Sequence, residues 1–346
     1  MNNAVKIPFD KKSKTSEELI QELKDKGMII KDEDFAKEIL AKVNYYRLSG
    51  YWFKYQNKWI NRNAVYSSQQ EKEEKEEKEN KFAKEIIFEN IANIYKFDSK
   101  LRSLCFDALE KIEISISSVI CDYMCQKYGA YWFLDKNNIK TYIKKGNVIF
   151  SHSKLLDKFE EYINNSSNKK TSLLKNFYAK YSDKFPPYWI ISQFITFGTL
   201  SLIYKSLDVQ DKMNIAKKLN FYKDFLENTL HTLAYIRNIC AHYSRLWDNE
   251  NSITISNINF VPNKHNSLYN YTFHTTNKNN TSFFPVFYTI TLFLINLYPK
   301  SKWVSLVNNK INEYQKKTNN LVSFKNMGFP NNWQELPLFK AMLENK

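Results

Sequence analysis

Apolar residues recur every three to four positions over most of the chain, which is the period of an amphipathic helix. The longest such pattern covers residues 82–127 without an internal proline or glycine, and it predicts one long helix or a broken pair. Thr15 and Glu18 have the spacing of a capping box, which marks the start of the first helix. The helical windows predicted in this way are 15–26, 32–43, 82–127, 155–163, 173–181, 188–206, 212–219, 224–247 and 283–319.

Other stretches depart from this helical period. The aromatic segment 44–56 contains Gly50, which is expected to break it. Residues 67–81 contain no apolar side chain and predict a solvated helix or a disordered insert, and the Asn-, Ser- and Thr-rich stretch 249–282 predicts a loop with a small hairpin. The apolar run Phe283–Tyr298 is shorter than the roughly 20 residues of a membrane span, so a buried helix is predicted there.

These elements define the expected fold class and domain organisation. The chain has 346 residues, of which 43% are hydrophobic, and this is a globular composition that suffices for about two domains. The six glycines and the absence of a glycine-rich phosphate loop argue against a dinucleotide-binding fold, so a predominantly all-α protein is predicted. The predicted regions are an N-terminal helical segment 1–66, a charged insert 67–81, a helical core 82–250, and a polar loop with a C-terminal helical segment 251–346.

The net charge of the chain indicates which classes of partner are expected. The 51 lysines and arginines exceed the 36 acidic residues by 15, which favours nucleic acid or a membrane surface as partner. No signal peptide is visible and no apolar run is long enough to span a membrane, so a cytoplasmic protein that does not enter the membrane is predicted. The four cysteines lack the spacing of a zinc site or a disulfide framework, so no metal or cofactor is predicted.

The rare residues collect between Phe225 and Asn249, in the sequence FLENTLHTLAYIRNICAHYSRLWDN. With about 100° per residue, the helix predicted there carries an apolar stripe formed by Leu226, Leu230, Leu233 and Cys240. It also carries a polar stripe formed by His231, Tyr235, Asn238, His242 and Arg245. His231 is predicted to be a packed histidine. Arg237 lies about 140° from His242, so its side chain must fold back or a second element must complete the site.

RNICAHYSRLW resembles the RNxxxH signature of the HEPN superfamily, in the form carried by the Abi-like abortive infection proteins (the AbiD/AbiF group). Further segments resemble motifs of that family in the same order: NYYRLSGYW at 44–52, YKFDSKLR at 95–102 followed by Ile112 and Glu113, PPYWIISQFITFGTLSLIYKSL at 186–207, and MGFPNNWQELPLF at 327–339. One position departs from the pattern: the family usually has an arginine four residues after the glutamate, where this chain has Ser117.

The resemblance implies a HEPN-like helical bundle with N-terminal and C-terminal helical extensions, often dimeric, that acts as a metal-independent endoribonuclease in phage defence. In this chemistry the 2′-OH of RNA attacks the adjacent phosphate and leaves a 2′,3′-cyclic phosphate. Arg237 would hold the phosphate, Asn238 would orient His242 or a phosphate oxygen, and His242 would transfer protons. One histidine does not easily serve as both acid and base, so a homodimer that brings two Arg/His sets together is expected.

Other residues receive supporting roles from the same resemblance. Glu113 is an orienting carboxylate and Arg245 a further support, while Arg47 and Arg102 either contact RNA or form salt bridges. The predicted partner is RNA, and a small structured RNA could be its guard or its substrate. The alternative is a non-catalytic RNA-binding protein that uses the same basic cleft and binds RNA with a steep salt dependence but without products.

Overall fold

The structure, a computed structural model, describes residues 12–57, 80–248 and 282–344. In this part of the chain the fold is predominantly all-α, as predicted, with fourteen α-helices and four short strands. The helices are α1 (Ser16–Asp25), α2 (Glu33–Lys42), α3 (Tyr45–Trp52), α4 (Phe88–Tyr128), α5 (His152–Asn164), α6 (Ser166–Lys169), α7 (Ser172–Tyr178), α8 (Tyr188–Ile191), α9 (Phe197–Ser206), α10 (Val209–Lys218), α11 (Lys223–Ala241), α12 (Phe283–Leu297), α13 (Trp303–Lys317) and α14 (Pro337–Glu344). The strands are β1 (Met28–Ile29), β2 (Ile86–Ile87), β3 (Tyr142–Lys144) and β4 (Asn147–Phe150).

The described residues divide into two compact units. The first contains residues 12–57, 80–99 and 310–323, and the second contains residues 100–248, 282–309 and 324–344. The four regions predicted from the sequence remain a prediction. The charged insert predicted at 67–81 lies outside the described residues except for its last two, and so does the loop predicted at 249–282 except for its last residue.

In the first unit, local capping fixes the helix starts. The Thr15 hydroxyl accepts a hydrogen bond from the Glu18 N–H at 3.2 Å, and the Glu18 carboxylate accepts one from the Thr15 N–H at 2.7 Å, which confirms the capping box.

β1 pairs in parallel with β2. Tyr51 on α3 donates a hydrogen bond at 2.7 Å to Asp98, a fully buried carboxylate on α4. A buried carboxylate requires such a donor, because its desolvation is otherwise uncompensated.

The prediction that Gly50 breaks the aromatic segment is wrong, because α3 continues through it to Trp52. Tyr51 and Trp52, which follow the glycine, are 4% and 1% exposed. Glycine costs a helix only about 1 kcal/mol relative to alanine, and burial of two aromatic side chains exceeds that cost.

The second unit is built on the longer part of α4 and on α12. Residues 88–128 form one helix of 41 residues, so the single-helix alternative for the 82–127 window is confirmed, although its first residues form β2 instead. α12 is predominantly apolar and every residue from Phe283 to Leu294 is buried, which confirms the predicted buried helix. The described residues contain no helix that is long and apolar enough to cross a membrane.

An aromatic cluster surrounds Phe287 on α12. Its ring stacks on Trp303 at 5.2 Å and on Phe339 at 5.0 Å between centroids, and Phe329 and Trp333 lie within 5.6 Å. Aromatic rings at these separations add attraction beyond their burial. The cluster therefore fixes α13 and α14 against α12.

The structure also differs from the predicted elements. The window 188–206 contains two helices, because Thr196 caps a new helix by accepting a hydrogen bond from the Thr199 N–H at 3.3 Å. An antiparallel hairpin formed by β3 and β4 was not predicted at all. Its strands are three and four residues long, too short to show a period of two in the sequence.

Phe287→Ala should lower the free energy of unfolding by about 3–5 kcal/mol, because it removes a fully buried ring from this cluster. Leu306→Ala on α13 is the control: Leu306 is 49% exposed, so a change of roughly 0.5 kcal/mol or less is expected. Thermal unfolding followed by circular dichroism measures both. Equal effects of the two substitutions would contradict the packing described above.

Candidate active site

α11 ends abruptly at its C-terminus. Ala241 is its last residue, and Tyr243 adopts the left-handed conformation, with φ at +58°. The Ser244 N–H donates to the Ile239 carbonyl at 3.0 Å and the Tyr243 N–H donates to the Cys240 carbonyl at 3.3 Å. This pair of hydrogen bonds is the Schellman motif, which satisfies the last carbonyls of a helix. His242 is therefore the C-cap residue.

Because α11 ends at Ala241, the polar stripe predicted on this helix is shorter than expected. The window was expected to reach Trp247, but the left-handed turn separates Arg245 from the helical face that carries Asn238 and His242. Arg245 lies in the segment that follows and is partly buried.

The two faces of α11 otherwise differ as predicted. The apolar stripe is buried, with Leu226, Leu230, Leu233 and Cys240 at most 5% exposed. On the polar face Asn238 and His242 are exposed and Tyr235 is partly buried. The prediction that His231 is packed is wrong, because it too is exposed. Partial burial of its ring, together with Lys144 and Lys205, lowers the pKa of His231.

The side chain of Arg237 is held by α4. This helix is the second element that the sequence analysis expected to complete the site. Its Nε lies 3.4 Å from Oε2 of Glu113, and its guanidinium carbon lies 5.6 Å from the centre of the Phe106 ring. One of its Nη atoms donates to Oδ1 of Asn238 at 3.5 Å. The cation that pairs with Glu113 thus comes from α11, and Ser117 stands on α4 four residues after Glu113.

Glu113 is only 17% exposed at its side chain. Burial raises the pKa of its carboxyl, because the ionised form loses hydration. The Arg237 charge and a hydrogen bond from the backbone N–H of Phe197, at the start of α9, act in the opposite direction without cancelling the rise. The carboxylate therefore carries its charge at a cost that the guanidinium only partly offsets.

His242 presents its imidazole to solvent at the end of α11. Within the described residues its ring has no hydrogen-bond partner. It lies five residues after Arg237, which corresponds to about 7.5 Å along the helix axis. The two residues also differ by about 140° around the helix axis.

The two other predicted arginines lie in different places. Arg102 on α4 is 4% exposed and donates a hydrogen bond at 3.3 Å to the carbonyl of Ser244, so it supports the turn that follows His242. Arg47 lies exposed on α3, in the first unit. The RNA contacts predicted for both residues remain predictions.

A cavity of about 640 Å³ adjoins the Arg237–Glu113 pair. One wall is a face of α4 formed by Glu110, Glu113, Ser117 and Cys121, and the opposite wall comes from residues 189–196 and includes Trp189. The sequence analysis did not identify this cavity. The spacing of three, four and four residues on α4 was the available signal, but it does not show which element lies opposite.

The described residues contain no group of three or more histidine, cysteine, aspartate or glutamate side chains that could hold a metal ion. In that part of the chain, Arg237 contacts the carboxylate of Glu113 and the amide of Asn238, and the imidazole of His242 lies five residues further along the same helix. This set can bind an anion and move protons.

The sequence profile of the Abi-like protein family matches residues 38–248, which is more than half of the chain. The chain therefore belongs to the Abi-like protein family. This membership suggests abortive infection, a form of phage defence, as its biological role. Neither the curated proteins nor the solved structures contain a significant match to the chain.

Glu113→Gln should become more stable relative to the wild type as the pH rises from about 4 to about 7. A raised pKa means that Glu113 stabilises the fold in its protonated form and loses this contribution when it ionises, whereas glutamine cannot ionise. The difference between the two melting temperatures, measured by circular dichroism across this range, tests the sign. A difference that moves in favour of the wild type would mean that the attraction of Arg237 outweighs burial.

Proposed function

We propose that this chain is a HEPN-type metal-independent endoribonuclease that cleaves RNA in abortive infection. The observation that carries the proposal is that Glu113 and Asn238 hold the guanidinium of Arg237, while His242 exposes its imidazole five residues later at the end of the same helix. The net charge of +15 supports a polyanionic substrate. Membership of the Abi-like protein family supports the biological role.

Arg237 is the phosphate-binding group in this proposal. Its Nε faces Glu113 and one Nη faces Asn238, and the other N–H groups of the fork can donate to two oxygens of one phosphate. Such donors stabilise the additional negative charge that develops on the phosphorus oxygens when a fifth ligand approaches. Glu113 acts as a positioning residue, because it fixes the plane of the guanidinium.

His242 is the proton-transfer group. The RNA 2′-oxygen loses its proton to a base and forms a bond to phosphorus, while the bond from phosphorus to the 5′-oxygen breaks and that oxygen takes up a proton. The products are a 2′,3′-cyclic phosphate and a 5′-hydroxyl. A neutral imidazole can accept the first proton, and an imidazolium can supply the second.

These two tasks require opposite protonation states of histidine at the same moment. We therefore propose a homodimer in which His242 of one copy acts as base and the same residue of a second copy acts as acid. His242 and Tyr243 are exposed at the end of α11, as this contact requires.

His242→Ala and Arg237→Ala should each reduce RNA cleavage roughly 10²-fold or more, because they remove the proton transfer and the phosphate ligand respectively. His231→Ala is the matched control: it removes an exposed histidine from the same face of α11 and should cleave like the wild type. The measurement uses end-labelled single-stranded and structured RNA in EDTA, with product ends assayed for 2′,3′-cyclic phosphate.

The other outcomes of this experiment contradict particular parts of the proposal. Loss of RNA binding by His242→Ala, measured by gel shift, would show that His242 binds RNA rather than transferring protons. No cleavage by the wild type, with a retained and steeply salt-dependent gel shift, would favour a non-catalytic RNA-binding protein. Cleavage that needs a divalent cation would exclude the metal-independent mechanism.

The proposed dimer makes a separate prediction. Sedimentation should give a species of twice the 41.3 kDa chain mass at concentrations where the protein cleaves RNA. Dilution below the dissociation constant should reduce the activity per chain, because each monomer lacks the second histidine. Undiminished activity of a purely monomeric protein would contradict the dimer but not the role of Arg237.

A further inference from the structure

The cavity next to Arg237 has features of a ligand site that the cleavage mechanism does not use. Its volume of about 640 Å³ falls within the range of small-molecule pockets. Arg237 and Glu113 lie in its lining, so a phosphate held by Arg237 would be at its edge. Whatever is attached to that phosphate can enter the cavity.

Trp189 is the most unusual residue of the lining. It is 50% exposed, whereas its neighbours Tyr188 and Ile191 on α8 are fully buried. Pro187 begins this short helix, and the Tyr188 N–H donates to the carbonyl of Ala130 at 2.9 Å. The backbone that carries Trp189 is therefore anchored, and Trp189 itself lines the cavity. Within the described residues, no aromatic ring lies against it.

The charge of the cavity lining favours the base of a nucleotide over its phosphate. Among the described lining residues, Glu110, Glu113 and Asp122 are carboxylates, and Arg237 is the single cation. Such a lining repels a second phosphate, but it accepts hydrogen bonds from the amino groups of nucleobases. A neutral base is thus the part of RNA that fits the interior, with its phosphate at Arg237.

We infer that this cavity binds one unpaired nucleobase of single-stranded RNA, which stacks on Trp189 while Arg237 holds the neighbouring phosphate. The inference rests on the proposed RNA substrate. Asn168 and Gln193 also line the cavity; their amide nitrogens donate to the carbonyls of Tyr162 and Trp189, and their amide oxygens are of the kind that accepts hydrogen bonds from the polar edges of bases. Stacking on an aromatic side chain is the common way in which proteins bind single-stranded RNA.

The test measures binding of a fluorescein-labelled, single-stranded 2′-O-methyl RNA hexamer by fluorescence anisotropy. This probe lacks the 2′-OH, so it is not cleaved and its binding does not depend on catalysis. Trp189→Ala should weaken binding roughly 5- to 150-fold, and Trp189→Phe should recover most of the loss. Tyr181→Ala is the control, because Tyr181 is aromatic and 57% exposed but does not line the cavity. Circular dichroism verifies that each variant is folded.

Salt dependence separates stacking from phosphate contact. Trp189→Ala should weaken binding by the same factor at each salt concentration, because no phosphate contact is lost. An RNA duplex of the same sequence should bind with little dependence on Trp189, since its bases are not available. A changed salt slope, or equal affinities of wild type and Trp189→Ala, would overturn the inference.

Failure of this inference is distinguishable from failure of the proposed function. Cleavage of RNA, together with RNA binding that does not depend on Trp189, would support the proposed endoribonuclease and contradict the base-binding site. RNA binding that depends on Trp189, without any cleavage, would support the base-binding site and contradict the proposed endoribonuclease. A Trp189→Ala variant that loses dimerisation in sedimentation, with unchanged affinity for RNA, would assign the cavity to contact with a second copy and would contradict the inference.

Discussion

The ion pair between Glu113 and Arg237 fixes the end of α11, and the candidate site depends on it. A guanidinium on the last turns of a helix would otherwise sample many rotamers, and each hydrogen bond to a ligand would then cost conformational entropy. Glu113 restrains it at 3.4 Å, while the Phe106 ring supports one side of it. Because Glu113 is itself largely buried, loss of hydration raises the energy of its ionised carboxylate, and the charge of Arg237 offsets only part of that cost.

α4 is the element that makes this arrangement rigid. Arg102 and Glu113 are eleven residues apart, which corresponds to about 16 Å and to nearly the same face of one helix. Glu113 contacts Arg237 within α11, and Arg102 contacts Ser244 beyond its end. One uninterrupted helix therefore holds both the last turns of α11 and the turn that follows it. The left-handed backbone of Tyr243 costs a non-glycine residue roughly 1–2 kcal/mol, and the hydrogen bond to Ser244 helps to offset that cost.

The sequence was sufficient for elements whose cause is local or strongly periodic. The capping box at Thr15, the helical period of α4 and the apolar run of α12 were predicted because their signals lie within a few turns of chain. The end of α11 was not predicted, because a tyrosine at position 243 does not indicate a left-handed conformation, whereas a glycine would. Likewise Trp189 cannot be distinguished by spacing from a core aromatic, because its exposure depends on the wall that α4 supplies.

The proposed division between phosphate and base follows from the contrast between the charge of the whole chain and the charge of the cavity. An excess of 15 positive charges attracts RNA regardless of its sequence, because this attraction acts on the phosphate backbone. Inside the cavity the sign is reversed, with three carboxylates against Arg237. Only the uncharged part of a nucleotide gains by leaving water there, and it gains most where an exposed indole offers a face for stacking. The same arginine then marks the boundary between the two environments, so the phosphate it holds is the one next to the bound base.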